Sequence, residues 1–521
     1  MLSALLLLPG LALAAECPGL DDRIAAVDAS TTSLTMPLLQ AWWAARDQGQ
    51  EACLAEALDA RGLPSWAPPR VFPAEEGTRA PDKGLRDLFH LPNHAENEDF
   101  VVWWGESGGV SQGDIDDLLD AFDDAWSREI DEYGLEEPYG TSQYKFNVFI
   151  GDTGSGAPSA YGNSGYYTVD SQGYPMIVVA AGALDDMDWG RGTAVHEFFH
   201  AVQHATGAYQ TDTGAWLWEA CAVWVEGEIY PDNPYYAAFL FGFAFMPHLS
   251  LDLFDYPDSG AIEEYHQYGA FIFMRYLSEV ASGWELVRDL WSQGGSYDDP
   301  LEVLDEALQA QGGDLTTTWA DFLAHDAIWD YQDGETYAYY LDWYAGYYDD
   351  YGVVETLVNG GSEEWREPTT RLPQRYGAQY VQLRYPSAGT LHVEVEGDPQ
   401  GSAGDAATWV GTVVFDSTPA EYVPLTFDGG NARLSMEDAD RALNVWLVLG
   451  VTTPARRSGE TFGYRYRVWV EPEAPVDTGT PADTGEGGDE PPGGCGCVSG
   501  GGLVAWPVLL GLVGLAARRR R

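Results

Sequence analysis

Residues 195–202 read Val-His-Glu-Phe-Phe-His-Ala-Val, and this stretch constrains the chain more than any other. Its H-E-x-x-H spacing puts His196 and His200 one helical turn apart, so both imidazoles lie on one line of a helix and can point at a common ion. Glu197 is turned about 100° from His196, beside the metal pair, where a general base for a water belongs. Around this helix Ala194, Val195, Phe198, Phe199, Ala201, Val202 and Ala205 form an apolar arc, opposite His196, Glu197, His200, Gln203 and His204. The pattern predicts a helix with one face in the core and its chemistry facing a cleft. Thr193 is the expected cap and Gly207 the expected stop. His204 falls roughly 6 Å beyond His200 along the axis, too far to share an ion comfortably, and is read as a cleft-lining or surface histidine.

A catalytic zinc needs a third protein ligand and an open position for water. The stretch 216–228, Trp-Leu-Trp-Glu-Ala-Cys-Ala-Val-Trp-Val-Glu-Gly-Glu, is helical in composition and apolar nearly all round, so it should be buried. Glu219 and Glu226 fall on the same side of it. A buried carboxylate is costly unless it is paired or binds a metal. Glu219 is therefore the expected third ligand, and Glu226 is expected to orient a ligand histidine. Glu226 also stands as the rival ligand.

H-E-x-x-H, eighteen residues (201–218) and then a glutamate resembles the gluzincin metallopeptidases, the clan of thermolysin-like and aminopeptidase-N-like enzymes. The match covers about 35 residues tightly. The resemblance implies Zn²⁺ held by His196, His200 and Glu219, with Glu197 as the base. It also implies an α+β zincin-like catalytic domain with a mixed N-lobe sheet, an active-site helix and a helical C-lobe. The G-A-M-E-N sequence of the aminopeptidases is absent. So is the N-E-x-x-x-D of thermolysin-like members, since Val223 stands four residues after Glu219. Gluzincins often carry a Tyr or His past the third ligand that stabilises an oxyanion. Tyr268, Tyr265 and His266 are the candidates, Tyr268 first, although with 30 tyrosines core packing competes for each.

The chain has 26 Lys+Arg against 82 Asp+Glu, a formal charge of −56 that repels nucleic acid and anionic lipid. Its five cysteines include no C-x-x-C pair, which argues against a structural zinc finger. Cys17 and Cys53 can pair in an oxidising compartment, while Cys221 reads as a core thiol.

In order, residues 1–14 read as a secretory signal ending in Ala12-Leu13-Ala14. Residues 15–85 form a helical segment and a Pro-rich passage, either a pro-region or an accessory cap. Residues 86–365 hold the expected catalytic domain. Strands are predicted at 100–104, 144–150, 165–169 and 175–180, with a helix at 114–132. By analogy with the zincin family, 165–181 contains the strand that edges the cleft and binds extended substrate. From 366 to 472, short alternating strands at sandwich-like intervals predict a β-sandwich that either binds substrate or shields its neighbour. Residues 473–497 are a Gly-, Pro- and Thr-rich linker ending in Cys495-Gly496-Cys497. Residues 498–521 combine an apolar run with terminal arginines, about 30 Å of helix and thus a transmembrane anchor. This tail resembles the C-terminal sorting signal of myxobacterial surface proteins. That resemblance implies a processing protease acting at the cysteine motif and delivery to the cell surface or outer membrane, with release as a further outcome. A plain anchor is the alternative.

The combined expectation is an exported zinc metalloendopeptidase that hydrolyses peptide bonds of protein or peptide substrates by metal-activated water. The alternatives are a surface adhesion or binding protein with an inactive protease-like domain, and a zinc hydrolase of non-peptide bonds.

Overall fold

Strands form where the sequence offers short apolar runs between turn residues. The computed structural model describes residues 17–29, 34–61, 89–160, 164–170, 173–254, 262–345 and 352–472. Three helices come first: α1 (Asp21–Ala29), α2 (Thr35–Gln48) and α3 (Glu51–Asp59). A disulfide joins Cys17 to Cys53, with Cα atoms 5.8 Å apart, so the bond encloses α1 and α2.

The first sheet contains β1 (Asn93–Glu96), β2 (Phe100–Trp104), β3 (Phe146–Gly151), β4 (Gly165–Val169) and β5 (Pro175–Ala180), in the order β1-β2-β3-β5-β4. β2, β3 and β5 run parallel, and β1 and β4 are antiparallel to their neighbours. β3, β4 and β5 are buried along their whole length, as expected of strands covered on both faces. Helix α4 (Gln112–Trp126) starts in a capping box between Ser111 and Asp114. Helix α5 (Met187–Thr206) carries the H-E-x-x-H residues. Its Phe198 packs edge-on against Phe100, Phe122 and Phe146 and tilted against Trp126. That aromatic cluster fixes α5 against β2, β3 and α4. Helix α6 (Ala215–Ile229) packs beside α5 and is buried through Gly227.

Beyond α6 the described residues as far as Ala345 form helices and turns. Nine strands follow: β6 (Val353–Val358), β7 (Gly361–Arg366), β8 (Gly377–Arg384), β9 (Gly389–Gly397), β10 (Thr408–Phe415), β11 (Glu421–Pro424), β12 (Asn431–Met436), β13 (Asn444–Thr452) and β14 (Tyr464–Pro472). They form a sheet of order β11-β10-β13-β8-β6 and another of order β12-β9-β14-β7. The inner faces share a core that includes Val393, Val395, Val413, Leu447, Leu449 and Val468. The outer face of the five-stranded sheet is also covered. The helix Leu315–Asp326 lies on β10 and β13, so close that a Cβ at Gly450 would stand 2.5 Å from Leu323 Cδ1.

The expected fold class is corrected. The described residues are a mixed α+β chain with three sheets, not a zincin-like domain, a sandwich and an anchor in series. Among them no helix is long and apolar enough to cross a membrane. The anchor expected at 498–521 lies outside the described residues, as do the signal at 1–14, the Pro-rich passage at 64–81 and the linker at 473–497. By contacts the chain up to Glu473 is one unit and the chain from Ala474 another, and only the first contains described residues. Strand pairing with the later sheets begins at Val353, ahead of the expected boundary at 366. A strand that leans on distant partners carries a weak local signal.

Candidate metal centre

Helix α5 starts two turns earlier than its sequence suggests. Asp186, not Thr193, caps it by accepting from the Asp188 N–H, and Gly207 ends it at φ 70°. Those extra turns seat Gly190 and Gly192 against neighbouring elements. A Cβ at Gly192 would lie 3.1 Å from Glu226 Oε2, so glycine lets α5 and α6 approach.

That approach brings His196, His200 and Glu219 together, with one donor atom of each within 4.8 Å of the others. Glu219 Oε2 lies 3.1 Å from His196 Nε2 and 3.5 Å from His200 Nε2. The imidazole centroids are 4.8 Å apart. Each ring is held from behind. His196 Nδ1 lies 2.8 Å from Glu226 Oε1, and His200 Nδ1 lies 2.7 Å from Gln203 Oε1. The Gln203 amide is oriented by its Nε2, which donates to the Trp218 carbonyl at 3.0 Å. Its Oε1 can only accept, so His200 Nδ1 carries the proton and Nε2 presents the lone pair.

Three observations fit a metal ion at this point. His200 Nε2 and Glu219 Oε1 are buried and have no hydrogen-bond partner. Among the described residues no lysine or arginine pairs with Glu197, Glu219 or Glu226, so three buried carboxylates face two imidazoles without a permanent cation. Such a charge set is strongly unfavourable unless a cation or protons join it. Burial opposes charge on His196, but the hydrogen bonds its ring donates to Glu219 and Glu226 outweigh burial and hold the ring protonated well above the usual histidine range. Burial likewise opposes ionisation of Glu219, yet the bond with His196 and the neighbouring His200 ring push it down to about 2. The buried cluster can bind a metal.

Glu197 stands apart from the ligand atoms. Burial raises its pKa, against the pull of His196 and His200, and it is only 2% exposed. The expected open cleft is therefore not what the structure contains, because His200 and Glu219 are fully buried as well. The opposing side is filled. Strand β4 abuts Glu197, where a Cβ at Gly165 would stand 3.3 Å from Glu197 Cγ. Helix α2 supplies Thr35, whose Oγ1 donates to Glu197 Oε2 at 2.8 Å. The same hydroxyl accepts the Tyr167 N–H at 2.8 Å.

Of the other expected residues, Tyr268 is buried with its ring centroid 6.3 Å from His196, stacked on Phe239. Tyr265 lies beyond it, 6.5 Å ring to ring. His266 does not reach the site. It packs against Phe243, both ring nitrogens lack partners, and burial pushes its pKa down to about 3. His204 does not join the ligand atoms either, since its Nδ1 pairs with the Tyr167 hydroxyl at 2.7 Å. Sequence reasoning missed the roles of Gln203 and Thr35. Gln203 follows His200 by three positions on one helix face, a spacing that could have revealed it. Thr35 precedes Glu197 by 162 residues and carried no signal.

A family pattern matches residues 80–462, the greater part of the chain, and spans every ligand candidate. The chain belongs to the DUF6055 family. That family is described as one of unknown function. No curated protein sequence matches this DUF6055 member. Among solved structures, it resembles the pre-peptidase C-terminal domain of a collagenase from Bacillus anthracis at 14% identity, over 22% of this chain and 92% of that one, with a TM-score of 0.15. It resembles a family GH115 4-O-methyl-α-glucuronidase with specificity for decorated arabinogalactans at 11% identity, over 66% of this chain and 54% of that one, with a TM-score of 0.14. At those scores neither likeness bears on the site.

Proposed function

We propose that this DUF6055 member is an exported zinc metalloendopeptidase whose set of metal ligands, His196, His200 and Glu219, is gluzincin-like. One observation carries the reading: His196, His200 and Glu219 converge, His200 Nε2 and Glu219 Oε1 have no hydrogen-bond partner there, and Glu197 stands one residue from the first ligand. Two imidazoles and one carboxylate suit zinc in a catalytic site, which leaves a position for water. When bound, zinc would lower the pKa of that water and polarise the scissile carbonyl.

The chain's own residues would do the rest. Glu226 and Gln203 fix the two imidazoles with Nε2 toward the ion. Glu197, its pKa raised by burial, takes a proton from the attacking water and passes it to the leaving nitrogen, a role worth about 10²–10⁴-fold. Tyr268, close to His196, is the proposed donor to the developing oxyanion. Export is supported by the Cys17–Cys53 disulfide, since such bonds persist in oxidising compartments.

A second reading rests on the 2% exposure of Glu197: a surface binding protein in which the metal is structural. Metal analysis and peptide-library digestion separate the two, run on the intact chain and after limited proteolysis, with and without chelator. The hydrolase reading expects one zinc per chain, chelator-sensitive cleavage, and a Glu197→Gln variant that keeps zinc but not cleavage. Cleavage that survives Glu197→Gln, or none in any form of the chain, sinks it.

A further inference from the structure

We propose that the disulfide-bonded N-terminal helices are a latch, with α2 seated where substrate must lie and the site shut until that unit is displaced. This rests on the hydrolase reading above and concerns how that site is controlled.

The Thr35 hydroxyl makes two bonds at once. It donates to Glu197 Oε2 and accepts from Tyr167 N–H, each at 2.8 Å. The first bond occupies an oxygen of the proposed base. The second uses an outward-facing donor of β4, the outermost strand of its sheet. An unpaired strand edge beside a catalytic base is where an extended peptide would dock, by adding a strand. Here a helix takes that place: α2 packs against β4, with Thr35 at its first turn bonded to the strand.

The seating is built for retention. Thr35 is fully buried, as are Met36, Leu38 and Leu39 behind it. Trp43 on α2 packs edge-on against Trp218 at 5.7 Å, and Trp218 stacks over His200 at 6.1 Å. Thus α2 touches the wall of the metal centre as well as the base. At the rim, Arg46 donates to Gln210 at 3.0 Å and Arg23 pairs with Asp212. The Cys17–Cys53 bond closes the unit on itself, so α1, α2 and α3 are expected to leave as one body. The unit joins the first sheet through one chain connection, residues 62–88. A cut there would turn a tethered contact into a bimolecular one, which dilution can break.

The test uses the full chain, zinc-loaded, with a recognition sequence for a specific protease inserted between residues 62 and 88. Three quantities are read before and after cutting and dilution: the rate at which a chelator strips zinc, amide exchange at Tyr167, and casein hydrolysis. The latch predicts at least ten-fold faster stripping and exchange after cutting, and hydrolysis only then. An uncut Thr35→Val chain should show faster Tyr167 exchange without any cut. Should the cut chain unfold, an uncut Thr35→Val, Trp43→Ala chain decides by the same stripping rate. Equal stripping and equal exchange in closed and opened forms overturn the latch. Equal hydrolysis by uncut and cut chains overturns the latch and leaves the hydrolase reading standing. Faster stripping after cutting with no hydrolysis in either form supports the latch and sinks the hydrolase reading.

Discussion

Glu226 Oε1 lies 2.8 Å from Nδ1 of His196, on the side of the ring opposite Glu219, whose Oε2 lies 3.1 Å from Nε2. The imidazole is thus fixed between two carboxylates, one from each end of the same buried helix. An outer carboxylate of this kind sets the ring's orientation and raises its basicity as a ligand. Glu226→Gln keeps an acceptor but loses the charge. Its metal affinity is expected to fall about 10–100-fold, read by competition with a chromophoric chelator. Glu219→Gln should lose far more. Unchanged affinity in Glu226→Gln would remove Glu226 from the site.

Gln203 bridges two elements, with Oε1 on His200 and Nε2 on the Trp218 carbonyl. Gln203→Leu leaves the buried Nδ1–H of His200 unpartnered, at about 1–3 kcal/mol, and takes the second donor from the Trp218 carbonyl, which keeps its bond within the helix. The loss should appear in denaturant unfolding of the metal-free chain. Gln203→Glu retains the acceptor for His200 and loses the donor to Trp218, so it should bind metal better than Gln203→Leu. Equal unfolding of wild type and Gln203→Leu would deny Gln203 this bridging role.

A cation that binds only the folded chain stabilises it by mass action. Zinc at 100 times its dissociation constant should add about 2.7 kcal/mol to the unfolding free energy. Chelator should reverse the gain. His200→Ala, which removes a ligand with an unpartnered Nε2, should show little of it. Thermal melts of both chains with and without zinc give the answer, and an equal zinc shift in both would place the ion elsewhere.

How legible all this was depended on distance along the chain. The centre could be read because its parts are local: two histidines four apart, and two glutamates seven apart on a helix too apolar to be exposed. The strands 165–169 and 175–180 were equally plain, being short apolar runs between turn residues. What depends on remote partners was not. Nothing near Thr35 announces Glu197. Nothing in the apparent polar arc of α5 says that α2 and α6 will bury it on both sides. β6 and β7, half exposed and pairing with β8 and β14, lack the alternation that marks a strand by itself.

Glu129 offers a prediction away from the site. It lies in the π-helical turn Ser127–Glu132, fully buried, and neither carboxylate oxygen has a hydrogen-bond partner. Burial raises its pKa well above the usual glutamate value. A group with a raised folded pKa favours folding most below its unfolded pKa, near 4.5, and that contribution is lost as pH climbs toward the folded value. Glu129→Met removes the ionisable group and keeps its length. It should therefore stabilise the chain at pH 8, by about 1 kcal/mol or more, and less at pH 4. Unfolding free energies of the two chains at both pH values test this. A gain that is the same at pH 4 and pH 8 would mean that ionisation of Glu129 is not what burial opposes.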